Sequence, residues 1–377
     1  MKLMHLSDLH LGKRLHEFSL HEDQAYILHE ILSIAKSEKP DVVLIAGDLY
    51  DKPVPPTESV ALLDHFLSDL VQLKTTVLII SGNHDSAERL SFGSRLMADS
   101  GVHMAPVYHG EISPLTLDDE NGPVDFFLLP FVKPAHVRRF YPDESIESYT
   151  DALDCVIRHM PICRDRRSVL VTHQFVTGSA RCDSEEINVG GTDNVDAQVF
   201  DPFDYVALGH LHAPQNIGSS RIRYCGTPLK YSFSEVNQTK TVTIVDMKAK
   251  GSIDVRTIPL IPLRNMIELR GTYMMLTSRD FYQDFDRSAY IHITLTDEDD
   301  VPDAAARLRT IYPNLMKIDY DNMRTRTEAD FSSGAEAERD PLTLFDDFYQ
   351  MQQGRPMSDI QRDYVARLLE HLTEVDA

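Results

Sequence analysis

Four short apolar runs, each rich in β-branched residues, constrain the fold of this chain more than any other feature. They read L-M-H-L, D-V-V-L-I-A, T-V-L-I-I and S-V-L-V-T in chain order. Runs of this length and composition are typical of strands that are buried on both faces of a sheet. Because helix-like segments separate them, the order of elements predicts an α/β fold with parallel strands.

Two helices are predicted between the first three strands. Ser19 and Glu22 have the spacing of a capping box ahead of an apolar helical pattern that begins at Ala25. Thr57 is placed to cap the second helix. The apolar positions of the second helix are Val60, Leu63, Phe66, Leu67 and Leu70.

A polar motif follows each of five strand candidates, and the motifs read D-L-H, G-D, G-N-H-D, T-H and G-H-L-H. Ligands of open α/β sheets collect at the carboxyl ends of parallel strands, so we expect these side chains to meet. Their mixture of imidazole, carboxylate and amide suits a divalent ion, with Mn²⁺ favoured over Fe²⁺ or Zn²⁺. Without a cysteine ligand, a structural zinc site is not expected. The candidate residues are Asp8, His10, Asp48, Asn83, His84, Asp85, His173, His210 and His212.

A glycine precedes a candidate ligand in three of these motifs, at Gly47, Gly82 and Gly209. A single D-x-H motif would be equally typical of an exposed loop, and a glycine after a strand is typical of a tight turn. Five such motifs after five strands favour the metal site. We expect the glycines to let the backbone turn sharply, so that the next side chain faces the ions.

The length and charge of the chain limit its possible partners. A chain of 377 residues predicts two domains or more. Its net charge of -22 argues against binding nucleic acid by overall electrostatics. An acidic protein can still cut DNA if metal cations, a local basic strip or a basic partner offset the repulsion. The charge therefore leaves the substrate open.

Other sequence features indicate where the chain acts. The four cysteines lack C-x-x-C spacing and are expected to be reduced. No apolar run has the length of a membrane span or of a signal-peptide core, so we expect a cytoplasmic protein. The motif G-x-x-x-x-G-K-[ST] does not occur, so any ATP dependence would come from a partner.

The ordered set D-x-H, G-D, G-N-H-D, H and G-H-x-H resembles the calcineurin-like metallophosphoesterases. The segments G-D-L-Y-D-K-P-V-P-P, S-G-N-H-D-S and Y-C-G-T-P-L-K-Y-S-F-S-E are similar to those of the SbcD-type bacterial nuclease subunits. This resemblance implies a four-layer α/β sandwich with a smaller α/β capping domain and C-terminal helices.

The resemblance also implies roles for the candidate residues. Asp48 would bridge two divalent ions, with Mn²⁺ ahead of Fe²⁺, Zn²⁺ or Mg²⁺. His84 would stabilise the transferring phosphoryl group or protonate the departing oxygen, and Asp85 would orient His84. Asp51 departs from family members that carry histidine nearby. The remaining ligands would be Asp8, His10 and His212 on one ion, and Asn83, His173 and His210 on the other.

The sequence divides into four predicted regions. The resemblance assigns residues 1–260 to a nuclease domain. Residues 261–323 alternate strand and helix, which the resemblance assigns to a capping domain that guides DNA; a plain packing module is the alternative. Residues 324–340 are polar and rich in small side chains, as in a linker. Residues 341–377 form two amphipathic helices, with a capping box at Ser358 and Gln361.

The two C-terminal apolar stripes could form ordinary core or bind a partner groove. The stripes are Leu342, Phe345, Phe348 and Tyr349, then Tyr364, Val365, Leu368 and Leu372. The resemblance assigns this region to binding an SbcC-like ATPase of the SMC type, in a nuclease complex of DNA repair, recombination and replication that also forms a homodimer. The nuclease would act on duplex ends and on single-stranded or hairpin DNA. The alternatives are a small-substrate or phosphoprotein hydrolase, and a non-catalytic metal-bound scaffold.

Overall fold

The computed structural model describes residues 1–179, 182, 185, 194–283, 285–299 and 301–322, and individual residues between 342 and 368. The strands are β1 Lys2–Leu6, β2 Arg14–Leu15, β3 Phe18–Ser19, β4 Val42–Ala46, β5 Thr76–Ile80, β6 Val102–Ala105, β7 Leu115–Asp119, β8 Gly122–Leu129, β9 Arg167–His173, β10 Tyr205–Gly209, β11 Gln215–Ile217, β12 Ser219–Tyr224, β13 Thr241–Met247, β14 Ile253–Pro259, β15 Met266–Gly271, β16 Tyr290–Leu295 and β17 Leu315–Tyr320. The helices are α1 His21–Glu38, α2 Thr57–Gln72, α3 Ala87–Leu90, α4 Ser94–Ala98, α5 Pro134–Arg138, α6 Tyr149–Arg158, α7 Tyr273–Thr277, α8 Arg279–Tyr282 and α9 Ala304–Ile311.

Two six-stranded sheets form the core of the fold. The first has the order β14-β13-β1-β4-β5-β6, and the second has the order β11-β12-β10-β9-β8-β7. In the first sheet β1, β4, β5 and β6 are parallel neighbours. In the second sheet β12, β10, β9 and β8 are parallel neighbours. The four apolar runs thus form β1, β4, β5 and β9 as predicted, but they are shared between two sheets.

The strands of these sheets are buried on both faces because hydrophobic layers lie on either side. Val43 and Ile45 of β4 pack toward α1 and α2, whereas Val42, Leu44 and Ala46 pack against the second sheet. The outer face of the second sheet packs against α6 in a third hydrophobic layer. Helices, two sheets and helices therefore form four layers, which confirms the predicted sandwich.

The first two helices begin with other capping residues than the sequence predicted. The N-cap of α1 is Leu20, whose carbonyl accepts the N–H of Gln24 at 2.8 Å. The capping box is absent there because Glu22 pairs with Arg264. The N-cap of α2 is Pro56, and Thr57 is the first helical residue. The helices themselves lie where the apolar periodicity predicted them.

The small α/β region also forms as predicted, with a three-stranded sheet in the order β15-β16-β17. Met266, Tyr290 and Met316 belong to the same hydrophobic cluster as the helix-facing side of the first large sheet. Two compact units are distinguished in the chain. The first comprises Met1–Leu269, Thr277–Ile293 and Ala304–Ile318, and the second comprises Arg270–Leu276, Thr294–Asp303 and Asp319–Ala377. The four sequence regions stay a prediction.

The C-terminal residues that the structure describes are helical at Phe345, Phe348, Tyr349 and Tyr364. The backbone N–H of Ser358 donates to Oε1 of Gln361 at 3.0 Å, which is one half of the predicted capping box. The predicted linker at 324–340 lies outside the described residues, as does Leu372.

Two further findings concern the chain as a whole. Cys155, Cys163, Cys182 and Cys225 are all free thiols. Among the described residues, no helix has both the length and the apolar character that a membrane crossing requires.

Candidate metal centre

The five polar motifs meet between the carboxyl ends of the two sheets. Asp8 and His10 follow β1, Asp48 follows β4, and the G-N-H-D segment follows β5, so all of these belong to the first sheet. From the second sheet, His173 ends β9, and His210 and His212 follow β10. The side chains thus converge from both sheets, as the parallel strands predict.

The carboxylate of Asp48 lies at the centre of this cluster. Its Oδ2 atom is 3.3 Å from Nε2 of His173 and 3.6 Å from Nε2 of His10. Nε2 of His84 lies 4.0 Å from the same oxygen. The side chain of Asp48 is only 3% exposed. One buried carboxylate therefore faces three imidazoles that come from both sheets.

Asn83 contacts His173 and one further imidazole, that of His210. Its Oδ1 atom lies 3.0 Å from Nε2 of His173 and 3.1 Å from Nδ1 of His210. An amide oxygen and two imidazole nitrogens at these distances are a suitable donor set for a divalent ion.

Asp8, His10 and His212 form a second group of donors. The ligand atoms of Asp8, His10 and His212 all lie within 4.8 Å of one another, and all three residues are buried. The carboxylate of Asp8 also accepts the backbone N–H of His210, with N to Oδ1 at 3.0 Å. The structure therefore brings together every ligand that the sequence nominated.

The hydrogen bonding of the imidazoles tests whether cations fit here. His10 is 1% exposed, and within the described structure neither of its ring nitrogens has a hydrogen-bond partner. An unpaired buried polar group costs about 1–3 kcal/mol. His173 donates from Nδ1 to the carbonyl of Ala46 at 2.8 Å, so the lone pair of Nε2 faces the oxygens of Asp48 and Asn83. A cation between these atoms would satisfy all of them.

The electrostatics of the cluster also favour cations. Burial, followed by the charge of nearby Asp48, raises the pKa of Asp8 above its usual value. Burial alone would lower the pKa of His173, but the Asp48 carboxylate more than offsets this and raises it to about 9. Without a cation, the cluster therefore holds a proton on an imidazole to balance its carboxylates.

Comparison with known proteins identifies the family. Residues 1–214 match the calcineurin-like phosphoesterase family. The chain belongs to this family. Residues 262–353 match a second family, described as the type 5 capsule protein repressor C-terminal domain.

Two relatives of this phosphoesterase are each named as the SbcD subunit of the nuclease SbcCD, one from Staphylococcus epidermidis and one from Staphylococcus saprophyticus subsp. saprophyticus. Each is 34% identical to this chain, and each alignment covers 99% of both proteins. Among solved structures, a dimetal phosphatase from Danio rerio covers 69% of this chain and 96% of its own, with 12% identity and a TM-score of 0.39.

The backbone of the phosphoesterase is strained where the ligands sit. Asp8, His10, Asp48 and His210 all have positive φ angles, of 53°, 44°, 51° and 103°. Such conformations are uncommon outside glycine and cluster at functional sites. A Cβ atom added at Gly82 would lie 2.1 Å from Oδ1 of Asp48. Only glycine allows the two loops to approach this closely, so Gly82 acts through its missing side chain and not through a left-handed turn. Gly47, with a φ of 86°, has the left-handed conformation that a sharp turn requires.

The structure corrects the role of Asp85. Its carboxylate accepts the backbone N–H groups of Gly82, Leu49 and Tyr50 at 3.0 to 3.2 Å. The partner of the His84 ring is instead the carbonyl of Asp51, 3.1 Å from Nδ1. A backbone carbonyl is invisible to motif reading, so the orienting contact could not be predicted. Asp85 shapes the loops that carry Asp48 and Asn83.

Sequence reasoning missed a buried network behind His212. Oε1 of Glu235 lies 3.7 Å from Nδ1 of His212, and Oε2 accepts from Nζ of Lys240 at 2.6 Å. Lys240 also donates to the carbonyl of His212 at 2.8 Å, and Glu185 accepts the backbone N–H of His212 at 2.7 Å. Glu235 is fully buried. The sequence feature that could have indicated this network is Glu235 itself, the last residue of the segment Y-C-G-T-P-L-K-Y-S-F-S-E.

Proposed function

We propose that this phosphoesterase is a metal-dependent DNA nuclease. It would act as an exonuclease on duplex ends and as an endonuclease on single-stranded or hairpin DNA, as one subunit of an ATP-regulated repair complex in the cytoplasm. The observation that carries the proposal is the convergence of imidazoles from both sheets on Asp48. DNA as substrate is supported by the nuclease name of two relatives that match this chain over 99% of its length.

We assign two divalent ions to the centre, with Mn²⁺ as the preferred metal. Asp48 would hold both ions, Asp8, His10 and His212 would hold one of them, and Asn83, His173 and His210 would hold the other. When bound, such ions supply Lewis-acid stabilisation to the attacking and leaving oxygens of an in-line phosphoryl displacement.

His84 is the residue that we assign to the chemistry. Its backbone N–H donates to Oδ1 of Asp48 at 2.9 Å, which fixes its main chain against the centre. Its Nδ1 atom donates to the carbonyl of Asp51. Because the Nδ1 hydrogen is engaged in this way, the imidazolium form of the ring carries a proton on Nε2 that can face the substrate. In the neutral form, Nε2 has a lone pair instead. Nε2 can therefore stabilise the phosphoryl oxygens or protonate the departing oxygen.

The C-terminal helices are the proposed contact for an SbcC-like ATPase of the SMC type. Phe348 is 53% exposed and Tyr364 is 66% exposed, although both are large and apolar. The side-chain amide of Gln361 donates to the hydroxyl of Tyr349 at 3.0 Å, which joins the two helical segments. Helix-in-groove recognition uses exposed apolar stripes.

We also propose a homodimer. Leu96 in α4 and Phe92 beside it are 77% and 89% exposed, so they offer apolar surface for a contact between two copies. Sedimentation of the full chain tests this. A twofold mass that falls to the monomer in Phe92→Asp is expected, whereas a monomeric wild type would contradict it.

The test of the proposed function is cleavage of end-labelled duplex DNA by the purified full chain with Mn²⁺, with and without a chelator. Shortening that requires Mn²⁺ and stops with the chelator is expected. Hydrolysis of bis-p-nitrophenyl phosphate without DNA cleavage would favour a small-substrate hydrolase. Inactivity on both substrates with metal bound would favour a non-catalytic scaffold.

A further inference from the structure

We propose that a basic cavity beside the metal centre, lined by Lys133, His136 and Arg139, binds the phosphodiester backbone of the DNA strand next to the bond that is cut. This inference rests on the proposed function and deepens it. It assigns residues that bind the rest of the DNA strand, whereas the metal centre binds the scissile phosphate. None of these three residues belongs to the five polar motifs that form the centre.

The fold holds the basic segment against the metal centre. Strand β8 is parallel to β9, so it ends at the same edge as His173. The chain then crosses to the first sheet, where the backbone N–H of Phe131 donates to the carbonyl of Ser81 at 3.0 Å. The side chain of Gln174 donates to the carbonyl of Val132 at 3.2 Å. Contacts with both sheets therefore fix the segment that leads into α5.

The cavity connects this segment with the centre. Its volume is about 530 Å³, and its lining includes Asn83 together with Lys133, His136 and Arg139. Ligand sites commonly have volumes of roughly 300–1,000 Å³, so a nucleotide-sized group can enter. Any group in this cavity is in reach of both a proposed metal ligand and the three basic side chains.

The two cations of the cavity are not neutralised by carboxylates within the described part of the chain. Lys133 and Arg139 are exposed, and neither forms an ion pair within the described part of the chain. By contrast, Arg158 pairs with Asp154 and Glu144. Of the carboxylates that line the cavity, Asp85 is engaged by three backbone amides and Glu88 is exposed to solvent. In a chain of net charge -22, two free cations beside the centre form the local basic strip that DNA binding requires.

His136 adds a directed donor between the two cations. The backbone N–H of Lys133 donates to Nδ1 of His136 at 3.4 Å. Burial, and then the charges of Lys133 and Arg139, lower the pKa of His136, which keeps the ring neutral. In this tautomer Nε2 carries the hydrogen and can donate to a phosphate oxygen.

A polynucleotide fits these groups better than a small phosphate ester does. A small ester bound at the centre would leave Lys133, His136 and Arg139 without an anionic partner. A DNA strand presents a phosphate at every nucleotide, so the phosphates beside the scissile one can occupy the cavity while the scissile phosphate lies at the centre. Contacts of this kind position the strand without reading its sequence.

The experiment compares two substrates in the Mn²⁺-loaded full chain. The variant is Lys133→Gln with Arg139→Gln, and the substrates are a labelled single strand and bis-p-nitrophenyl phosphate. We expect the ratio of kcat/KM for DNA to kcat/KM for the small diester to fall about tenfold or more at moderate salt, because two phosphate contacts are lost. The slope of log(kcat/KM) for DNA against log salt should decrease by about 2.

Two controls make the result specific. Lys36→Gln with Arg164→Gln removes two exposed cations at the opposite edge of the sheets and should leave the ratio unchanged. Lys133→Arg with Arg139→Lys retains the charges and should restore most of the DNA activity. An equal loss on both substrates, or an unchanged salt slope, would overturn the DNA-binding assignment. A wild type that never cuts DNA would instead refute the proposed function.

Discussion

Nε2 of His173 lies 3.3 Å from Oδ2 of Asp48, although the two residues belong to different sheets. His173 ends β9 of the second sheet, and Asp48 follows β4 of the first. Any ion held by both side chains therefore also joins the two sheets. Since a ligand that binds only the folded state stabilises it, metal binding and sheet packing are linked.

The first prediction is that Mn²⁺ raises the melting temperature of the chain in proportion to the logarithm of its concentration. Stabilisation of about 2.7 kcal/mol is expected at a concentration 100 times the Kd. His173→Gln should lose most of this increase, whereas His65→Ala, an exposed histidine of α2, should retain it. Differential scanning calorimetry measures both, and an equal increase in His173→Gln would contradict the link.

His84 should separate catalysis from metal binding. Its Nε2 atom lies 4.0 Å from Asp48, and its ring is fixed by Asp51, so we do not count it among the metal ligands. His84→Gln should keep the bound Mn²⁺ and lose about 10²–10³ in kcat on DNA, as when a transition-state stabiliser is removed. Metal analysis and single-turnover kinetics test this. Wild-type turnover would leave His84 with a structural role only.

Glu235 should influence metal affinity through His212. Burial alone would raise the pKa of Glu235, but the nearby imidazole of His212 and the charge of Lys240 lower it to about 2, so the carboxylate is charged. A charged carboxylate behind a metal-binding imidazole increases its basicity and fixes its orientation. Glu235→Gln should therefore weaken Mn²⁺ binding about 10- to 100-fold by calorimetric titration.

The matched control for Glu235 is Glu22→Gln, which removes an exposed carboxylate paired with Arg264. Its Mn²⁺ affinity should equal that of the wild type. If Glu235→Gln also binds Mn²⁺ as the wild type does, the network behind His212 is structural and does not tune the metal.

The C-terminal stripes should bind the ATPase. Tyr364→Ala with Leu368→Ala removes apolar surface that is 66% and 46% exposed, so the fold should tolerate the change. We expect the affinity for the ATPase to fall at least about tenfold, because each anchor of a helix-in-groove contact contributes more than about 1 kcal/mol. Ile261→Ala, at a residue that is 70% exposed outside this region, is the control. Equal affinity in both variants would place the contact elsewhere.

Much of the centre could be predicted from sequence because its ligands come in short motifs that directly follow buried strands. Asp48 and His173 each stand at the end of an apolar run, and the parallel pairing of those runs follows from their helical connections. The sequence did not predict that the strands divide between two sheets. Fully buried strands such as β4 and β9 would have the same apolar pattern in one sheet or in two.

The parts that sequence missed depend on contacts between distant segments. The carbonyl of Asp51 that orients His84 has no side-chain signature. Glu235 reaches His212 only after the chain turns back through a 3₁₀ helix at Phe233–Glu235. The predicted cap at Ser19 was wrong because Arg264, 242 residues from Glu22 in the chain, engages that glutamate. Local spacing cannot report such partners.

The central claim is that Asp48 bridges two ions between the sheets, and Mn²⁺ stoichiometry in wild type and Asp48→Ala tests it most directly. Equilibrium dialysis followed by metal analysis should give close to two ions per chain in the wild type. Since Asp48 faces imidazoles from both sheets, Asp48→Ala should lose more metal than any other single ligand variant, including Asp8→Ala. Retention of both ions by Asp48→Ala would contradict the account.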